Sequence, residues 1–275
     1  MNVDFYSVTV VARTDIGRFR SNNEDSFAIG KYIFDREWTA TEAVYDLQST
    51  GSVFVIADGM GGTDAGELAA QIAVQSVQKQ FQELFQLPEN QEEIFVLLRN
   101  IIFHAHEEIV AFVELNKRLK GMGTTLVVGW LLKNELYVAW CGDSRCYVAQ
   151  TNQHAHLFTE DHSKVWEMVK QGLITPEQAR THPQSHVITQ ALGDAKFPPK
   201  PDFKLLIVNE LDRFLFCSDG LNTMLSDEEI FEMLENRQLP LKETADYFVS
   251  RANEAGGKDN ITLILVETSL TPTLS

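Results

Sequence analysis

Three features of the sequence predict an α+β protein with a β-rich framework. Short apolar runs rich in β-branched residues recur between glycines and polar turns, at 53–57, 126–132, 135–140, 146–150, 213–217 and 261–266. Two long stripes, Leu68 to Phe85 and Ile94 to Val113, place apolar residues three and four apart, as a helix with one buried face requires. Between the strand-like runs, residues 164–194 break into short helical patterns, with a stop at Gly172 and a capping-box start at Thr175-Pro176-Glu177-Gln178.

In chain order, residues 5–13 alternate as a strand, and the polar stretch 13–25, turning at Gly17, leads into a second strand over 26–33. Residues 34–51 read as a long connection with room for one helical turn or a small hairpin. The run 53–57 is expected to end as a strand at Asp58, followed by the open backbone of Gly59, Gly61 and Gly62. A turn at Lys133-Asn134 makes a hairpin of 126–132 and 135–140, and 146–150 is expected to extend it to a three-strand meander. Residues 203–208 and 213–217 read as another strand pair. Ser226 with Glu229 caps a helix, residues 242–254 form the last one, Gly256-Gly257 stop it, and 261–266 is the final buried strand. The boundaries expected are one domain over 1–267, with a flap at 164–194, and a frayed tail over 268–275.

A chain of 275 residues is long enough to bury a substantial core. Lys and Arg number 23 against 39 Asp and Glu, a net charge of −16, which disfavours nucleic-acid binding by phosphate neutralisation and attachment to an acidic membrane surface. A phosphorylated substrate remains compatible if cations reverse the local charge. Cys141, Cys146 and Cys217 lie in apolar runs and are expected to be buried reduced thiols. No stretch approaches the roughly 18 apolar residues of a membrane span. A soluble, cytoplasmic monomer is the expectation.

Glu24, Asp58, Asp143, Asp219 and Asp259 each stand at the end of a predicted strand, beside Gly, Ser or Asn. One Asp-Gly after a strand is an ordinary turn, but five repeated acids can converge at one sheet edge. Crowded carboxylates raise one another's pKa unless they hold cations, and all-oxygen ligands suit Mg2+ or Mn2+. Two such ions can activate a water and stabilise both oxygens of an in-line displacement at phosphorus.

At this point the sequence resembles the metal-dependent protein phosphatases of type 2C (the PPM family), and among them the bacterial-type serine/threonine phosphatases. The resemblance spans about residues 10–266 and rests on eight motifs in the family's order. They are Asp15-x-Gly17-x-x-Arg20-x-x-Asn23-Glu24-Asp25, Asp58-Gly59-Met60-Gly61-Gly62, Gly123-Thr124-Thr125, Gly142-Asp143-Ser144-Arg145, Asp161-His162-Ser163, Ala191-Leu192-Gly193, Ser218-Asp219-Gly220 and Asp259-Asn260. It implies a four-layer α-β-β-α sandwich of two antiparallel sheets flanked by helices, with the metals at one end. By position it implies that Asp58 bridges two metals, the Gly59 carbonyl ligates the first, and Glu24, Asp219 and Asp259 hold the second. Asp143 with Asp219 matches a third, weaker site. Asp25 would orient water, Arg20 would bind the substrate phosphate, and 164–194 matches the mobile flap beside the cleft. The partners implied are phosphorylated proteins, with a serine/threonine kinase or its substrates.

Two departures stand out. Met60 and Thr63 occupy positions where relatives carry a histidine, so the leaving group would take its proton from water or from His162, although a histidine in a polar loop is more often structural. The 34–51 connection is also longer than the family's usual link. A rival reading is a catalytically silent relative that binds phosphoproteins or a kinase as an interaction module, but such a protein should have lost metal acids, and all are present. A kinase using Gly61-Gly62 as a phosphate loop fails for want of a Gly-x-x-x-x-Gly-Lys-Ser/Thr pattern. A two-metal nuclease is disfavoured by the charge.

Overall fold

The computed structural model of the chain describes residues 6–38, 41–61 and 65–270. Its strands are β1 (Tyr6–Asp15), β2 (Asp25–Gly30), β3 (Glu42–Asp46), β4 (Ser52–Met60), β5 (Gly123–Thr124), β6 (Leu126–Leu132), β7 (Glu135–Cys141), β8 (Arg145–Ala149), β9 (His156–Leu157), β10 (Asp202–Ile207), β11 (Arg213–Cys217) and β12 (Ile261–Leu270). Its α-helices are α1 (Ala65–Gln82), α2 (Gln91–Leu115), α3 (Lys164–Lys170), α4 (Pro176–Arg180), α5 (Asp219–Asn222), α6 (Asp227–Glu235) and α7 (Leu241–Glu254).

Two antiparallel sheets carry the architecture. One has the order β3-β1-β12-β11-β8-β9, the other β10-β7-β6-β4-β2, with β5 paired to the end of β4. Between them lies a core that includes Val10, Phe54, Ile56, Val127, Phe216 and Ile264. A second core packs α1 and α2 on the outer face of the β4 sheet, and a third packs α5, α6 and α7 on the outer face of the β12 sheet. Sheet residues are therefore buried on both faces: Val53 and Val55 point to the helices while Phe54 and Ile56 point to the opposite sheet. That is why β4 reads as a continuous apolar run rather than an alternating one. The predicted α+β class and its four-layer form are both present.

Four expectations are corrected. β8 does not extend the β6-β7 hairpin; a turn through Gly142 (φ +118°) carries it to the other sheet, where it pairs with β11. β10 and β11 likewise do not pair. β10 adds to β7, and a tight link crosses to β11, held by the buried Asp212 carboxylate, which accepts the Asn209 and Thr151 backbone N–H groups. β8 and β11 are buried on both faces, and half-buried β10 carries the apolar pair Leu205-Leu206 without alternation, so the apolar pattern is the same for a hairpin and for a crossover. Among its described residues the 34–51 connection carries neither a helical turn nor a hairpin: β3 pairs with β1 at the sheet edge, and Trp38 packs on Phe81 of α1. Finally, β12 runs on to Leu270, four residues past the expected end, in unbroken register with β1, and Thr268 there is buried.

Candidate active site

The five acids meet at one end of the sandwich. Glu24 immediately precedes β2, Asp58 lies near the end of β4, and Asp143 sits between β7 and β8. Asp219 opens α5 after β11, and Asp259 precedes β12. All five line one open cleft of about 470 Å3, together with Arg20, Gly59 and Met60. β4 does not end at Asp58 as expected; it continues to Met60 through its pairing with β5.

Backbone geometry fixes each carboxylate. The Asp58 N–H donates to the Thr125 hydroxyl at 3.1 Å, and the Asp58 carbonyl accepts from the Thr125 N–H at 2.9 Å and the Thr124 hydroxyl at 2.8 Å. Thr125 and Ser144 share a 2.7 Å hydroxyl contact, so the Asp58 and Asp143 segments are joined through buried groups. Asn260 fastens the other side: its side chain accepts from the Glu24 N–H at 2.8 Å and donates to the Ile16 and Asn22 carbonyls. Two glycines permit the close approaches. A side chain at Gly220 would meet the Asn260 carbonyl oxygen at 2.0 Å, and one at Gly17, whose φ is +79°, would meet the Asp259 carbonyl oxygen at 2.3 Å.

Electrostatically the cleft is short of positive charge. Burial pushes Asp58 well above the ordinary carboxylate range, and Asp25, Asp219, Asp143 and Asp259 push it further. Asp143 moves up in the same way, through burial and then Asp219 and Asp161. Asp219 rises to about 6, mainly by burial and then by Asp259, against a lowering hydrogen bond with Asp58. Asp25, behind the cleft, rises to about 7 by burial although its carboxylate accepts the Ser218 hydroxyl at 2.7 Å. Arg20 is the one guanidinium that lines the cleft among the described residues; it donates to Asp259 at 2.6 Å, so Asp259 is not free of a basic partner as its sequence neighbours suggested.

Among the described residues, no three His, Cys, Asp or Glu side chains stand close enough together, as placed, to hold one metal ion. The acids instead ring an open cleft, with oxygen donors only and far more negative charge than Arg20 can offset. That donor set fits hard divalent cations that retain water.

The remaining candidates separate cleanly. His162 is structural: its Nδ1 accepts the Gly142 N–H at 3.1 Å, its Nε2 lies 3.2 Å from Asp202, and its ring stacks on Trp140. Met60 lines the cleft, and Thr63 lies outside the described residues. Residues 164–194 form the excursion bearing α3 and α4; their return leg brings exposed His186 and half-buried Ile188 to the cleft and pairs Leu192 with Thr124. His186 escaped the sequence reading because no local pattern sets it apart from other loop histidines.

Two antiparallel sheets between helices, with a carboxylate-ringed cleft at one end, define a class of α+β sandwich whose site chemistry suits divalent cations. Comparison with known proteins gives the particulars. Residues 41–265 match the family described as Protein phosphatase 2C. A relative from Listeria monocytogenes, "Serine/threonine phosphatase stp", is 37% identical over 259 residues, 94% of this chain and 95% of that protein. The structure of the S. agalactiae serine/threonine phosphatase superposes with a TM-score of 0.81 at 31% identity, covering 96% of this chain and 100% of the other. The catalytic domain of the serine threonine protein phosphatase PstP, solved in complex with two manganese ions, gives 0.76 at 30% identity, over 96% of this chain and 99% of that one. The chain belongs to the protein phosphatase 2C family and, with it, to the serine/threonine phosphatases.

Proposed function

We propose that the protein removes phosphate from phosphoserine and phosphothreonine in phosphoproteins, at a cleft that holds two Mg2+ or Mn2+ ions and, through Asp143 with Asp219, a third. The observation that supports this most is the meeting of Glu24, Asp58, Asp143, Asp219 and Asp259, drawn from both sheets, around one cleft with a single guanidinium. Asp58 would bridge two ions, the Gly59 carbonyl would complete the first, and Glu24, Asp219 and Asp259 would hold the second. When bound, such a pair supplies a nucleophilic water at neutral pH and neutralises charge during in-line displacement at phosphorus.

The chain's own residues do the rest. Arg20 has a half-exposed side chain that already spans to Asp259, so it can hold that carboxylate and a phosphoryl oxygen from the same fork. Asp25, fixed by the Ser218 hydroxyl, orients water from beneath the cleft. Both His162 nitrogens are engaged, which removes it as the donor and leaves cleft water, or the exposed His186, to supply the leaving oxygen's proton. The cysteines are buried free thiols and offer no phosphate-accepting nucleophile. We assign one phosphatase domain with 164–194 as its flap, acting as a cytoplasmic monomer opposite a serine/threonine kinase. Reduced, buried thiols suit that compartment, and among the described residues no helix is long and apolar enough to cross a membrane.

The test is phosphate release from a phosphothreonine peptide with and without Mn2+, comparing the native chain with Asp58→Asn and Asp219→Asn. Metal-dependent turnover lost in both variants is expected. Metal-independent turnover, or turnover retained in both, would overturn the binuclear reading.

A further inference from the structure

Beside the cleft lies a second cavity of about 190 Å3, which shares Asp143, His186 and Asp219 with it. One wall is the flap, through α3 and α4; the opposite wall is α5 and the first turn of α6. The Arg180 guanidinium of α4 donates to the Leu225 carbonyl at 2.9 Å, just before α6, so the two walls are already tied together. Trp166 and Pro176 give the cavity apolar sides. The three shared residues place its mouth directly beside the cleft that Arg20 lines.

The charges of this cavity are uneven. Asp143 and Asp219 belong to the cation-holding set, and four further carboxylates remain, Asp161, Glu177, Asp227 and Glu228, against two guanidiniums, Arg145 and Arg180. Arg145 is spoken for: it grips Asp161 with two bonds of 2.8 and 2.7 Å and reaches Asp227 at 3.0 Å. Glu177, from the flap, bonds only to the neighbouring Thr175 and its own backbone, and Glu228, from α6, makes no ion pair among the described residues. The lining thus keeps negative charge on both walls, over apolar sides that suit an aliphatic stem.

We propose that this cavity is a specificity subsite for a basic side chain, arginine or lysine, lying near the phosphorylated residue of the substrate. The inference rests on the phosphatase reading and adds to it the class of sequence the enzyme prefers. An arginine would lay its methylenes against Trp166 and Pro176 and present its guanidinium to Glu177 and Glu228. An acidic residue at the same position would meet like charge, and a neutral one would leave both carboxylates in water.

The test uses phosphothreonine peptides of otherwise uncharged sequence, carrying a single Arg, Gln or Glu scanned one position at a time on either side of the phosphoresidue. kcat/KM is measured with Mn2+ for the native chain, Glu177→Gln/Glu228→Gln and Glu228→Lys. At one flanking position the native chain should prefer Arg over Gln by about fivefold, the scale of a partly exposed ion pair, and should disfavour Glu. The double glutamine variant should lose most of that ratio, and Glu228→Lys should shift preference toward Glu, a change that lowered stability cannot mimic. Equal rates for Arg, Gln and Glu at every position, or a ratio unchanged in both variants, would overturn the subsite while leaving the phosphatase reading intact. Failure of the native chain to hydrolyse any of the peptides would overturn both.

Discussion

Two groups of half-buried acids lie side by side in this molecule, and they are built on opposite principles. Around Arg145, the carboxylates of Asp161 and Asp227 are paired, the Tyr147 hydroxyl donates to Asp227 at 2.8 Å, and no acid is left without a partner. Around the cleft, Asp58, Asp143 and Asp219 are crowded together with their pKa values pushed upward by burial and by one another. A carboxylate that merely braces a fold is supplied with its cation by the chain. Under the proposed function, one left without it, at a cost in folding free energy, serves a cation from solution.

That contrast breaks first at Asp58. Asp58→Asn should lower phosphate release by about three orders of magnitude, or about 4 kcal/mol in the barrier, because the acid central to the cleft is gone. The same variant should melt higher than the native chain in the presence of a chelator, because it no longer has to neutralise a crowded carboxyl on folding. Arg145→Met should do the reverse to stability. Removing the cation from two half-buried acids should cost about 2 kcal/mol in denaturant unfolding, less than the loss of a fully buried pair. If Asp58→Asn destabilises the metal-free chain as much as Arg145→Met does, the distinction between the two groups fails.

The pH dependence sharpens the same point. Asp25 at about 7 and Asp219 at about 6 bind protons more tightly in the folded chain than in the unfolded one, where both should titrate near 4. Between pH 4 and 7 the folded state therefore holds more protons, and metal-free stability should fall as pH rises through that window, by on the order of a few kcal/mol. Saturating Mg2+ or Mn2+ should flatten the slope, since cations then balance the ionised carboxylates. Urea unfolding across the window, with chelator and with metal, checks both statements; a rising metal-free curve would contradict the assignment of repulsion.

What could be read from the sequence follows from how local each signal is. The acids were legible because each carries its own punctuation, such as Ala57-Asp58-Gly59 or Ser218-Asp219-Gly220, and Asn260 was legible beside Asp259. The helices were legible because α1 and α2 each sustain one apolar face over several turns. The sheet partners of β8, β10 and β11 were not, because β8 and β11, buried on both faces, and β10, half-buried at a sheet edge, lack the alternation that ties a residue to one sheet. β3 was hidden for another reason: at the sheet edge it alternates exposed Glu42, Val44 and Asp46 with half-buried or buried Ala43 and Tyr45, too short a pattern to stand out from a polar connection. The second cavity was equally out of reach, since Glu177 and Glu228 are brought together only by the packing of the flap on α6.

The smallest effect belongs to His162, next in sequence to Asp161 of the compensated group. Its two ring nitrogens are taken by the Gly142 N–H and by Asp202, and its ring lies on Trp140, so it braces the turn that carries Asp143 without facing the reacting atoms. His162→Gln keeps an acceptor for Gly142 but loses the stacked ring, and should cost about 1 kcal/mol of stability. Its kcat should stay within about threefold of native, with the acid limb of the pH-rate profile unmoved, because this imidazole does not protonate the leaving oxygen. A loss of a hundredfold or more in kcat at unchanged KM, together with a displaced acid limb, would move His162 from the brace to the reaction and erase the boundary between the two groups of acids.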